Sequence, residues 1–283
     1  MVRNLDPDDF RAVRRVLEPS DFALSDDNPD SPPTDLIDEP AWRGIMDLPG
    51  DVAIRTTSLQ GSRVSVLHEL LCAWTEAFPG DGIVARAMLD GFDSLQAAVF
   101  NLVHGFYKEA IFALRSALEI LTFATVVELA KDTKSWESWL VGDEFSFKRQ
   151  CDRAQGLPPL DGLERRVRTT TGTAIFVSQD GNGRNAWARN LYRRLSEYAH
   201  ARGNAANAEL WESNGPIYSA RGFALAYHFF LETYALCLIL AKVANPGLLP
   251  TKAARNVLAT ENLMLCLDAP FRRACELYVR ELF

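Results

Sequence analysis

"FYKEAIFALRSALEILTFATVVELAKD", residues 106–132, decides the fold class. It contains neither proline nor glycine. Phe106, Ala110, Leu114, Ala117, Leu121 and Ala124 recur along it at three- and four-residue steps, which places them on one helical face. The spacing predicts a long helix at the centre of a bundle. Upstream, "SRVSVLHELLCAWTEAF" repeats the pattern with Val64, Leu67, Leu71 and Trp74. "PGDG" (79–82) then breaks the chain before "IVARAMLDGFDSLQAAVFNLVHG". Downstream lies a shorter amphipathic piece, "TKSWESWLVGDEFSFKRQCDRA", ended by "GLPP", and "LDGLERRVR" adds a helical turn or two. "YSARGFALAYHFFLETYALCLILAKVA" is a second long helix, stopped by "NPG". "TENLMLCLDAPFRRACELYVRELF" gives one or two more, divided at Pro270. The exception is "TTTGTAIFVSQDGNGR", whose β-branched run before an Asp-Gly-Asn-Gly turn suits a short hairpin or an ordered loop. The expected fold is all-α: a multi-helix bundle with a short non-helical insertion and an extended acidic N-terminal arm.

That arm is a matter of composition. Residues 1–55 hold seven of the fourteen prolines, and residues 1–51 balance at −8, with one short helix expected near "PDDFRAVRRVL". Residues 56–283 are expected to form the bundle. Of the net charge of −7, the chain beyond residue 51 contributes +1, and residues 148–202 alone balance at +6. Overall acidity therefore does not exclude a polyanionic partner. The start, "MVRNLDPDDF", lacks a basic, then apolar, secretory pattern. The most apolar helix falls short of the roughly 18 uninterrupted apolar residues of a bilayer span. Five cysteines without a C-x-x-C pair suit reduced thiols. A cytoplasmic protein with no membrane, metal or cofactor is expected.

"RNLYRRLSEYAH" (189–200) gathers three arginines and one of four histidines. At 100° per residue, Trp187, Leu191, Leu195, Tyr198 and Ala199 share an arc of about 120°, while Arg189, Arg193, Ser196, Glu197 and His200 fall opposite. Arg193 and His200 lie about 20° apart, two turns along one face. Arg194 lies nearer the apolar edge. Metal-free RNA cleavage needs a base for the 2′-OH, an acid for the leaving 5′-oxygen and positive charge beside the phosphate. A histidine supplies the first or second, and an arginine the third. A solvated basic face with His200 at a helix C-terminus is the plainer use of the same residues.

The stretch resembles the R-x4-6-H signature of HEPN domains, all-helical modules of bacterial toxins, anti-phage defence proteins and RNA-processing enzymes. Both Arg194-x5-His200 and Arg193-x6-His200 fit it, and "GFYKEAIFALRSALEI" is similar to the long helix preceding the motif. The resemblance spans roughly residues 60–245. It implies a homodimer with both motif helices facing one cleft and RNA as the partner. His200 would act as acid or base, with Arg193 or Arg194 at the phosphate. Arg115 and Glu119 would orient them or complete the cleft, with Ser196 and Glu197 in support. Arg189 and Arg184, within the basic segment, are the expected nucleic-acid contacts. An antitoxin or a defence-complex subunit is the expected further partner. Leu195 follows Arg194 where active members commonly carry a small polar residue, and some such domains bind without cutting. Two expectations follow: a metal-independent endoribonuclease, and a non-catalytic helical interaction module or subunit of a larger assembly.

Other motifs carry less. "SQDGNGRN" lacks the order of a phosphate-binding loop and, counting from Asp180, has no glutamate at the twelfth position of a calcium loop. His68, His104 and His228 lack an i+4 histidine and read as packed or capped, and Trp136 and Trp139 as core or dimer contacts. The charge split predicts that deleting residues 1–51 raises affinity for nucleic acid, most at low salt. An unchanged affinity across a salt titration would make the arm a tether.

Overall fold

The computed structural model describes residues 39–78, 80–180, 183–199, 215–258 and 267–283. Two compact units divide at Asp47/Leu48. In the first, Glu39–Trp42 forms a helical turn that continues as π-helical Arg43–Asp47. The expected helix near "PDDFRAVRRVL" lies outside the described residues. The second unit is all-α. It contains α1 (Leu48–Glu76), α2 (Ile83–Val103), α3 (Tyr107–Ala130), α4 (Thr133–Leu140), α5 (Phe147–Ala154) and α6 (Pro158–Thr171). After the insertion come a 3-10 turn (Gly183–Asn185), α7 (Trp187–Ala199), α8 (Ala220–Ala244), α9 (Lys252–Leu258) and α10 (Ala269–Leu282). The boundary expected near residue 55 falls inside α1, and the seven-residue α9 is a helix beyond those expected.

α3 is the central helix. Ala110, Leu114, Ala117, Leu121 and Ala124 are fully buried, and α2 and α8 pack most extensively against it. Small side chains let these helices approach closely. A Cβ on Gly91 of α2 would stand 2.6 Å from Leu121 Cδ2. From α1, the Trp74 indole donates to Met88 O at 2.9 Å, so a large buried ring keeps its polar atom satisfied. α8 is buried on nearly every face from Phe229 to Val243. Lys242 closes its end, donating to Pro246 O and Leu248 O, both at 2.7 Å. α3 and α8 are long and apolar enough to cross a membrane, but 72% and 83% of their most apolar windows are buried inside the bundle.

Several local expectations change. The piece at 133–154 is two helices, because Gly142 takes a left-handed φ of 103° between them. Asp132 joins both: it accepts from Ser135 N at the start of α4 and pairs with Arg153 of α5 at 2.7 Å. Pro158 and Pro159 begin α6 rather than ending a segment, since proline suits the first helical turn. "LDGLERRVR" consequently belongs to a 14-residue helix that absorbs Thr169–Thr171. Those hydroxyls donate back to the carbonyls of Arg165, Arg166 and Val167. As far as Asp180, the described part of the insertion is a loop with one isolated bridge, Thr173 to Ser178. Cys151, Cys237 and Cys275 are buried, Cys72 is exposed, and Cys266 lies outside the described residues.

α8 starts with its backbone against a ring. A Cβ on Gly222 would fall 2.5 Å from Tyr107 Cδ2, while the Tyr107 hydroxyl accepts from Ser219 N at 3.0 Å. Neither can shift without losing the other. Gly222→Ala should therefore destabilise the protein by about 1–3 kcal/mol, read as a lower midpoint in urea unfolding with unchanged slope.

Candidate functional site

The motif helix α7 is held by two buried carboxylates. The first acts through the insertion. Glu164 of α6 accepts from Ile175 N (3.1 Å) and Phe176 N (2.9 Å) and from the Tyr278 hydroxyl of α10. Its carboxyl is raised above the ordinary range by burial, and the Tyr278 and backbone donors pull it back. The loop so fixed offers Ala174 O and Ile175 O to Trp187 N and Ala188 N, each at 3.0 Å. Two amides that a helix start leaves without partners are thereby satisfied.

The second carboxylate is Glu232 of α8, 2% exposed. It accepts from the Trp187 indole at 3.0 Å and from Arg194 Nη2 at 2.5 Å. Arg194 also donates to Asn190 Oδ1 (3.0 Å), and its guanidinium lies 5.5 Å from the Phe229 ring centroid. Burial raises Glu232 above the usual carboxylate range, and Arg194 and Trp187 oppose that rise. Trp187, Leu191 and Leu195 are fully buried on the same face. Arg194 is thus engaged within the bundle. Arg193 points outward, 56% exposed, with Glu197 at 3.6 Å as its ion-pair partner. Ser196 donates to Tyr192 O at 2.7 Å, along its own helix. His200 lies outside the described residues.

Arg115 and Glu119 form an i,i+4 pair at 3.1 Å and also reach α7. Arg115 Nη2 donates to the Tyr192 hydroxyl at 2.7 Å, which donates to Glu119 Oε1 at 2.8 Å. Burial raises the Tyr192 hydroxyl, and Glu119 raises it further. The Tyr192 ring stacks on Phe147 with centroids 4.0 Å apart. Periodicity does not single out Tyr192: it lies about 20° beyond the edge of the apolar arc, and its hydroxyl partners are on another helix.

An open groove of about 410 Å³ runs beside this contact. Phe147 and Lys148 come from α5, Arg184 from the 3-10 turn, and Arg189, Tyr192 and Arg193 from α7. Arg189, expected on the open face, is only 13% exposed: its guanidinium pairs with Asp152 and donates to Lys148 O, fastening α5 to α7. The groove therefore has an aromatic floor already packed against itself and a rim of cations. That combination suits phosphate oxygens better than stacked bases. Elsewhere His68 and His228 are exposed rather than packed, and His104 Nδ1 lies 2.8 Å from Phe100 O. No group of three metal-ligating side chains occurs among the described residues. Comparison with family models, with characterised proteins and with solved structures gave no match.

The two motif arginines should separate in a stability measurement. Arg194→Met leaves Glu232 buried without its cation and should cost about 3–5 kcal/mol at neutral pH. Arg193→Met, losing an exposed helical pair, should cost no more than about 0.5 kcal/mol. Glu232 titrates above its unfolded value of 4.5. Ionisation on raising the pH past that value then favours the unfolded chain, and more so without Arg194. The Arg194→Met deficit should grow from pH 4 to pH 8; a deficit independent of pH would mean that Glu232 is not its source.

Proposed function

We propose that this chain is a HEPN-like, RNA-directed cytoplasmic protein of bacterial defence or toxin type. In this reading it works as a homodimer and cuts RNA without a metal ion. The observation that supports it most is the groove between α5 and α7, where Lys148, Arg184, Arg189 and Arg193 share one concave surface beside the motif helix. A phosphodiester backbone would lie along that rim, with Arg193 at the scissile phosphate, because Arg194 is engaged by Glu232. His200 of one chain would remove the 2′-OH proton as the 2′-oxygen attacks phosphorus. The second chain's copy would protonate the departing 5′-oxygen. The products are a 2′,3′-cyclic phosphate and a 5′-hydroxyl end. Arg115, Glu119 and Tyr192 act as positioning residues, since their mutual hydrogen bonds hold the outward face of α7 at a set angle to α3. An antitoxin or a defence-complex subunit is the further partner of this reading.

The second reading is a non-catalytic helical interaction module. It is favoured by the engagement of Arg194 in the bundle and by Phe100 and Phe112, 59% and 55% exposed, which a partner chain would cover.

End-labelled mixed RNA incubated in EDTA separates the two. Wild type should release 2′,3′-cyclic ends, and His200→Ala and Arg193→Ala, folded by circular dichroism, should not. Lys148→Ala should weaken RNA binding and reduce the salt slope by about 1, as the loss of one phosphate contact does. A wild-type monomer that neither binds nor cuts RNA at any salt concentration would establish the interaction module instead.

A further inference from the structure

Two more arginines of the basic segment, Arg165 and Arg166, meet Arg280 at a second place. α6 and α10 are joined through Glu164 and Tyr278. Along the same pair of helices lies an open cleft of about 410 Å³. Its floor is apolar: Val167 is 1% exposed and Leu277 half-buried. Arg165 and Arg166 of α6 and Arg280 of α10 line it, with Thr169, Thr170 and Glu281.

Guanidiniums along one helix would be an ordinary solvated face. Here they come from two helices and converge on a concavity. Their charge is only partly met within the protein. Arg165 pairs with Asp161 at 2.6 Å and Arg166 with Glu281 at 3.2 Å. Arg280 has neither an ion pair nor a side-chain hydrogen bond among the described residues. The lining thus carries three positive charges against the one of Glu281. The two threonines add a different kind of polarity. Thr169 and Thr170 spend their hydroxyl hydrogens on Arg165 O (2.8 Å) and Arg166 O (3.1 Å). Their oxygens are left as acceptors beside the arginine donors.

We propose that the α6–α10 cleft binds a small phosphate monoester whose body carries hydroxyl groups, of the nucleotide or sugar-phosphate type. The phosphate lies against Arg280 with Arg165 or Arg166, where planar guanidiniums match its oxygens. Hydroxyl groups of the body donate to the threonine oxygens, and its less polar face covers Val167 and Leu277. The volume lies within the range of small-molecule sites, about 300–1,000 Å³. This site shares no residue with the α5–α7 groove, so it stands or falls independently of the RNA reading.

Calorimetry on the full chain with AMP, and with adenosine as the phosphate-free control, tests it. AMP should bind and adenosine should not. Arg280→Met, which alters an exposed side chain with no partner to lose among the described residues, should keep the fold and weaken AMP roughly tenfold or more, as expected for a lost charged hydrogen bond. Arg165→Met or Arg166→Met, whichever removes the second phosphate contact, should weaken it as well, and Arg193→Met should leave it unchanged. The proposal is overturned if wild type does not bind AMP, if adenosine binds equally, or if Arg280→Met binds AMP as wild type does. Loss of binding in Arg193→Met with Arg280→Met intact would overturn it too, by moving the phosphate to the other groove.

Discussion

The Glu232 carboxylate, buried beneath α7, is the contact on which the placement of the motif helix depends. It sits on the most enclosed helix of the bundle, accepts an indole N–H from the first residue of α7, and meets Arg194 two turns later. A carboxylate in such a place is costly unless paired, so the arginine and the indole must stay where they are. A hydrophobic replacement could pack as well. What the polar arrangement adds is register: α7 cannot rotate or slide along α8 without leaving a charge unpaired. That restriction keeps Leu191 and Leu195 inward and Arg193 outward.

Glu164 plays the corresponding part for the chain that leads into α7. Between α6 and α10 it organises the insertion, and the insertion in turn supplies carbonyls to the first amides of α7. The loop is therefore a built start for the helix rather than an interruption between helices. Tyr192, Arg115 and Glu119 add a third tie, from α3 to the middle of α7. Each tie joins α7 to a different neighbour, and Arg189 adds a fourth through Asp152 of α5, so the orientation of its outward face is determined by four polar contacts and one apolar stripe.

The basic segment divides along the same lines. Some of its charge is internal: Arg194 meets Glu232, and Arg189 fastens α5 through Asp152. Lys148, Arg184 and Arg193 emerge on a concave surface against α5, and Arg165 and Arg166 on another against α10. The +6 balance read from composition measures the sum of these uses and says nothing of their division. That division matters chemically, because a guanidinium already held by a buried carboxylate is a poor phosphate ligand. One left at a groove rim is a good one.

Sequence alone was enough for the helical class. The i, i+3, i+4 recurrence in residues 106–132 depends only on helix pitch and on the need to bury one face, and Ala110, Leu114, Ala117, Leu121 and Ala124 are indeed fully enclosed. It also placed Trp187, Leu191 and Leu195 on the inner arc of α7. It could not tell which of Arg193 and Arg194, one residue and about 100° apart, is held inside the bundle. The choice rests on Glu232, 38 residues away. Nor could it see that Glu164 and Tyr278, 114 residues apart, would anchor the insertion, or that prolines 158 and 159 would open a helix. Apolar periodicity is a local property of the chain, written wherever a helix has an inside. The partner of a buried charge is chosen by the packing of helices distant in sequence, and only the folded structure brings those atoms together.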